Sequence, residues 1–299
     1  MEPRTQRLTV AILGTGAMAR YLAYHLDAIH PWIIGRVSPP YQIMELGRSH
    51  QVVQPAYWGW DTLPPHPPDI VLLAVKWRGL STAQRWIAQH APQSVVISFM
   101  NGMGQEEILH ELPHVVLAMG ITTTAITRQD DNIPTIRIVS RGSTVVPHVA
   151  DARLDVLKTY GNQYHWGWQW VTPGRMQNLR WQKLVQNSII NPLTVLANCP
   201  NGELIRHPLW QLAQPLTDEA SPVARAEGTA IPSDMLARVA RLLEDTRDNW
   251  SSMAQDVHAG LPTEIDAING YIVSHARRHH LLVPTHEALT VLVSKLGQG

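Results

Sequence analysis

Short apolar runs alternate with longer amphipathic stretches through the first half of the chain, with Pro/Gly clusters between them. Leu8–Leu13 is almost wholly apolar and is stopped by Gly14, which predicts a buried strand, and Met18–Ile29 follows with helical spacing. Further strands are predicted at Pro31–Gly35, at Ile70–Val75 behind the Pro64–Pro68 cluster, at Val95–Phe99 and at Val115–Met119. Continuous apolar strands alternating with helices imply a parallel sheet covered on both faces. Thr135–Val146 and Tyr164–Val171 are strand-like with no long helix between them, and are expected as antiparallel additions that close the sheet.

The pattern changes after the turn signal Thr172-Pro173-Gly174. Beyond Asn178 the apolar positions recur with helical period, predicting helices at Leu179–Ala197, Leu209–Glu227, Ser233–Gln255 and Thr263–Arg278, with a shorter one after Pro284. The expected organisation is therefore an α/β domain over residues 1–173 and an all-α domain over residues 174–299. A chain of 299 residues suits two cores.

Composition narrows the function classes. Lys+Arg and Asp+Glu are 24 each, so no overall basic field is present to hold a nucleic acid. The run Leu8–Leu13 is too short for a secretory signal, and no stretch approaches the ~18 apolar residues of a membrane span. The single cysteine, Cys199, excludes an intramolecular disulfide framework and fits a reducing cytoplasm. No His/Cys/Asp/Glu spacing matches a zinc site, so no metal is expected.

Gly14-Thr15-Gly16-Ala17-Met18-Ala19 follows one predicted strand and opens one predicted helix, which is the context of the dinucleotide fingerprint. Gly14 permits the tight turn and Gly16 the close approach of phosphate. Ala19 stands at the third glycine position and is still small. At the end of the second strand, NAD-binding chains place a carboxylate for the ribose 2′-OH. Here the residues are Ile33-Ile34-Gly35-Arg36, and a cation there suits a 2′-phosphate, hence NADPH; the alternative is a solvated turn arginine.

Other polar residues occupy positions where chemistry is expected. Lys76 and Asn101 follow the carboxyl ends of predicted strands, although Asn101-Gly102 also suits a simple turn. Lys183, Asn187 and Asn191 recur every four residues among Leu184, Val185, Ile189, Ile190 and Leu193, forming a polar stripe on an apolar helix. Such a stripe faces either solvent or a ligand. Asn249, Ser252 and Asp256 share one face if their segment is a continuous helix. Glu264 follows Thr263 at a predicted helix start, where with Asp266 it could simply favour the helix N-terminus. Cys199 reads as a small structural thiol, and His275-Ala276-Arg277-Arg278-His279-His280 as a basic helix end.

Taken together, several strings resemble the ketopantoate reductase (2-dehydropantoate 2-reductase) family over nearly the whole chain. They are Ile12-Leu13-Gly14-Thr15-Gly16-Ala17, Val75-Lys76, Asn101-Gly102-Met103-Gly104 and Gly120-Ile121-Thr122-Thr123-Thr124. In the second half they are Lys183-Leu184-Val185-Gln186-Asn187, Ile190-Asn191-Pro192-Leu193-Thr194, Asn198 through Leu204, Ser251 through Asp256 and Thr263-Glu264-Ile265-Asp266. The resemblance implies a Rossmann domain joined to a helical domain of the 6-phosphogluconate dehydrogenase type. It implies reduction of 2-dehydropantoate to pantoate with NADPH, towards pantothenate and coenzyme A.

The resemblance also implies roles for single residues. Lys183 matches the lysine that protonates the carbonyl oxygen, and Glu264 the carboxylate that assists that lysine and the substrate hydroxyl and borders the cofactor. Asn187, Asn191, Asn249 and Ser252 match substrate-contacting positions. Lys76 and Asn101 match positions at the nicotinamide end, with Asn101 also near substrate, and Arg36 matches the arginine for the 2′-phosphate. Gly14, Thr15, Gly16, Ala17 and Met18 hold the pyrophosphate. Leu261 departs from the pattern, standing where family members often carry a basic residue. The expected partner is a small keto acid, with a homodimer left open. Two alternatives also stay open: an NADP-dependent reductase of another 2-keto acid or an imine, and a non-catalytic NADPH sensor.

Overall fold

The structure is a computed structural model that describes residues 8–36, 40–45, 51–129 and 133–296. Two compact units divide the chain. The first comprises residues 1–100 and 105–176, and the second residues 101–104 and 177–299.

The first unit is organised by a six-stranded, wholly parallel sheet. Its strands, in spatial order, are Ala56–Gly59, Trp32–Gly35, Val10–Leu13, Ile70–Leu73, Val95–Ser98 and Val116–Met119. Numbered along the chain this is the order 3-2-1-4-5-6 of dinucleotide-binding folds. Alternation explains why the strand sequences are apolar throughout. Val10, Ile12, Ile70, Leu72, Val95 and Ile97 enter one core, while Ala11, Leu13, Val71, Leu73 and Val96 enter another on the opposite face. Burying one such side chain stabilises by roughly 1.5–3 kcal/mol.

The expected antiparallel closure of this sheet is not what forms. Thr135–Ser140 belongs to a separate four-stranded sheet, antiparallel to Ala125–Gln129 and parallel to Tyr41–Glu45, with Gln51–Val53 at its edge. Thr144–Pro147 pairs with Gln169–Val171, in parallel, and with Ile121–Thr122. Between those two strands runs a helix, Ala152–Gln163, that the sequence reading omitted. Its start is capped by Asp151, which accepts from the Arg153 amide at 2.9 Å, and it buries Leu154 and Leu157. Its apolar face is too sparse to show periodicity. Trp166 and Trp168 beyond it are buried, Trp168 meeting Trp166 at a tilt and Phe99 edge-on, so two of the chain's 11 tryptophans fill this core.

The second unit is helical. The long helix Pro173–Ala197, most of which lies in this unit, begins earlier than predicted because Pro173 sits in its first turn, where proline's missing N–H costs nothing. Helices Ala213–Ala226, Met235–Asp245, Ser252–His258, Ile265–Arg278 and Pro284–Ser294 pack around Leu184, Val185, Ile189, Leu193, Ile268 and Ile272. The predicted single helix Ser233–Gln255 is two helices. Ser251 caps the second by accepting from the Ala254 amide at 3.2 Å, which ends any continuity with the first. Among the described residues no helix is long and apolar enough to cross a membrane.

Candidate active site

In the first unit, three adjacent parallel strands deliver candidate residues from their carboxyl ends. Gly14 follows Val10–Leu13, Arg36 follows Trp32–Gly35, and Lys76 lies just past Ile70–Leu73. The Gly14 amide still donates to the Ile34 carbonyl at 2.8 Å, so the chain turns sharply while tied to the neighbouring strand. Its φ is +123°, and a Cβ there would stand 2.5 Å from the Ala74 carbonyl oxygen. Only glycine satisfies both conditions.

Gly16 behaves differently: a Cβ on it would meet nothing within 4 Å. It is the N-cap of helix Ala17–His25, with no side-chain cap and no acidic residue in the first turn. Exposed backbone N–H groups at a positive helix end, beside open space, fit a pyrophosphate. Ala19 is fully buried against the sheet core. Arg36 and Lys76 are both exposed. This constellation fits the phosphates of a bound dinucleotide.

The second unit holds Lys183, Asn187, Asn191, Asn249, Ser252, Glu264 and the Asn101 loop. Lys183 and Asn187 are half-buried on the long helix, and Asn191 is 5% exposed. The stripe is therefore not an ordinary solvent face. Among the described residues the side-chain amides of Asn187 and Asn191 make no hydrogen bond, so they are open to water or a ligand.

Burial pulls the Lys183 ammonium from its ordinary value of 10.5 down to about 8, while the charge of Glu264 acts in the opposite direction. Glu264 occupies the N-cap position of helix Ile265–Arg278, but its side chain does not cap that helix and is only 7% exposed. Its charge still stands at the positive end of the helix, with Asp266 as the acidic residue of the first turn.

Two cross-links join elements that carry the other candidate residues. The Thr194 and Ser251 hydroxyls are 2.7 Å apart and buried, joining the long helix to the cap of the helix that Ser252 begins. The Met103 amide donates to the Ala267 carbonyl at 2.9 Å, so the loop carrying Asn101 is docked on the helix that follows Glu264. Asn249 does not share a helical face with Ser252 and Asp256, as a continuous helix would require. It precedes the helix, and its carbonyl accepts from the Asn201 amide at 2.8 Å.

Asn201 lies in the string Asn198 through Leu204, where the sequence gives it no role of its own. It is 8% exposed, gives Nδ2 to Thr246 at 2.9 Å, and its Oδ1 is buried without a hydrogen-bond partner among the described residues. An asparagine in a helix-initiating turn gives no signal of this in sequence. At the basic helix end, His279 meets Glu227 at 2.7 Å and Arg277 meets Glu287 at 2.9 Å. Among the described residues no cluster of three or more His/Cys/Asp/Glu could hold a metal ion.

Comparison with known proteins decides the family. The model of "Ketopantoate reductase PanE/ApbA" matches residues 10–151, and that of its C-terminal domain matches residues 175–297. The chain belongs to the ketopantoate reductase family. The 2-dehydropantoate 2-reductase of Salmonella typhimurium is 32% identical over 96% of this chain and 95% of its own. A dimeric ketopantoate reductase from Staphylococcus aureus superposes with a TM-score of 0.79 at 22% identity, over 97% of this chain and 99% of that one. D-mandelate dehydrogenase with NADH and anilino(oxo)acetate shares the fold, with a TM-score of 0.86 at 19% identity over 97% and 98%. Family and fold make this chain a nicotinamide-dependent oxidoreductase with an N-terminal Rossmann domain and a helical C-terminal domain.

Proposed function

We propose that the chain reduces 2-dehydropantoate (ketopantoate) to (R)-pantoate with NADPH, supplying pantothenate and coenzyme A synthesis, and that Lys183 is the proton donor. The observation that carries the reading is a half-buried lysine with a pKa of about 8, next to the charge of Glu264 and on the same helix as two amides without internal partners. In this reading the first unit binds the cofactor and the second supplies substrate contacts.

The dinucleotide, when bound, supplies the hydride. The chain's own residues manage the charge that results. As the ketone carbon gains hydride, its oxygen gains negative charge, which the Lys183 ammonium meets and then neutralises by giving up one proton from Nζ. With a pKa near 8 the lysine is ~10:1 protonated at pH 7, so the donor is loaded before reaction. Glu264 keeps the ammonium form populated despite burial and offers an acceptor for a substrate hydroxyl. The Asn187, Asn191 and Ser252 side chains are donors that can orient the carboxylate and hydroxyl of a 2-keto acid, with Asn101 and Asn249 in the same unit.

Arg36 supports NADPH over NADH, since Ile33-Ile34-Gly35 leaves that strand end without a carboxylate for the 2′-OH. The test is to follow NADPH absorbance with ketopantoate, simpler 2-keto acids and imine-forming mixtures. Ketopantoate is expected to give the highest kcat/KM. Turnover no faster than with pyruvate would refute the substrate assignment, and tight NADPH binding without any turnover would favour a sensor.

A further inference from the structure

Pro192 lies inside the long helix and has no N–H to give to the carbonyl four residues earlier, that of Ser188. Ser188 is fully buried, so water cannot replace the missing donor. Asn269, fully buried on helix Ile265–Arg278, supplies it: its Nδ2 donates to the Ser188 carbonyl at 3.0 Å.

The same Nδ2 lies 3.1 Å from Nδ1 of His286, whose Nε2 lies 3.0 Å from the Leu216 carbonyl. A carbonyl only accepts, so His286 carries its proton on Nε2 and offers Nδ1 as an acceptor. That choice fixes the Asn269 amide with its nitrogen towards both partners. Its Oδ1 is left buried without a hydrogen-bond partner among the described residues. The amide is therefore held in one orientation although its own oxygen goes unsatisfied, a cost that packing alone would not require.

The position of this bridge matters. Ser188 directly follows Asn187 and lies little more than one helical turn beyond Lys183, while Asn269 lies a similar distance beyond Glu264. We propose that Asn269 is a positioning residue for Lys183 and Glu264: its amide pins the proline-interrupted helix to the helix that Glu264 begins, and so fixes the register in which the proton donor meets its carboxylate. The claim rests on the reading of Lys183 as proton donor.

The experiment compares wild type, Asn269→Ala, and Asn269→Ala combined with Pro192→Ala. The second substitution returns an N–H to position 192, so the helix can serve Ser188 from within. Tm, kcat, KM for NADPH and the titration of Lys183 are measured. The titration uses ε-carbon NMR of labelled lysine, with Lys76, Lys158 and Lys295 as the other signals and Lys183→Ala to assign the peak.

The single variant is expected to lose Tm and about 10-fold or more in kcat. The double variant should recover Tm yet keep the kcat loss and a displaced Lys183 titration, with KM for NADPH within about twofold. Recovery of kcat and of the Lys183 titration together with Tm would overturn the proposal, reducing Asn269 to a stabilising contact. So would a single variant with wild-type kcat and titration. If the proline replacement fails to restore Tm, the Lys183 titration in the folded single variant, read well below its Tm, decides. If wild type turns over no keto acid, the proposed reaction fails, while the titration still reports whether Asn269 sets the lysine's environment.

Discussion

Glu264 raises the pKa of Lys183, but burial lowers it by more, and the ammonium settles at about 8 rather than 10.5. The opposition is useful for an acid. Burial alone would leave a lysine that is deprotonated too early, and a carboxylate alone would hold its proton too tightly. A proton donor works best with a pKa near the working pH, and under the proposed mechanism these two residues, brought together from distant parts of the chain, would meet that condition.

The first prediction follows from the sign of each effect. With Lys183 as donor, kcat/KM for ketone reduction should be flat near neutrality and fall as pH rises through about 8. Glu264→Gln removes the negative charge that raises the lysine, so the alkaline limb should move to lower pH. An unmoved limb in that variant would mean that another group controls it.

Removing the lysine should separate chemistry from binding. Lys183→Ala is expected to lower kcat by roughly 10²–10⁴, the usual contribution of a positioned acid. NADPH affinity, followed by nucleotide fluorescence, should stay within a few-fold. Near-normal turnover would show that the proton comes from elsewhere.

How much of this was legible in the sequence differs between the two units. The parallel sheet was legible because strands buried on both faces must be apolar at every position, and Val10–Leu13 and Ile70–Leu73 are. The strands outside it were not assigned to their sheets, since Thr135–Ser140 and Thr144–Pro147 carry the same propensity and only their partners distinguish them. Helix Ala152–Gln163 was hidden because few of its residues reach the core. Lys183 and Glu264 could be singled out by type and context, whereas the environment that sets the lysine's pKa depends on burial that no local pattern encodes. The bridge from Asn269 to Ser188 was invisible for the same reason: Pro192 announces a missing N–H, not the residue that replaces it.

Cofactor choice gives a prediction confined to the first unit. Arg36 is exposed at the end of the strand Trp32–Gly35, beside the glycine loop. Arg36→Ala should raise KM for NADPH by about 10-fold or more while changing KM for NADH little, because only the 2′-phosphate loses a charged partner, an interaction worth roughly 1.5–3 kcal/mol. Equal losses for both nucleotides would remove Arg36 from the 2′-phosphate role.

The Asn101 loop supplies another. Gly102 has φ +76°, and a Cβ there would lie 2.5 Å from the Ala267 carbonyl oxygen. Gly102→Ala must therefore lift the loop from the helix and strain the bond between the Met103 amide and Ala267. A stability loss of roughly 1–3 kcal/mol is expected, together with a lower kcat/KM because Asn101 moves with the loop. A Tm within one degree of wild type would show that the loop accommodates the methyl group.

His286 makes stability depend on pH in a direction that can be worked out. In the folded chain its ring is buried, and burial lowers its pKa below the ordinary 6.5, with the Leu216 carbonyl and the charge of Glu219 opposing this only in part. The unfolded chain takes up a proton at about 6.5, whereas the folded chain resists one. The stability this ring contributes is thus present above 6.5 and is lost as pH falls from there towards the folded value. His25, in the first unit, is lowered by burial in the same way and adds to the slope. His286→Gln keeps a neutral donor and acceptor but cannot take the proton. Its Tm should fall less steeply than that of wild type between about pH 7 and 5.5, with the remaining slope assigned by adding His25→Gln. Parallel Tm curves for wild type and His286→Gln would mean that the buried ring titrates as it does in the unfolded chain, and that the neutral tautomer read from Asn269 and Leu216 does not persist in solution.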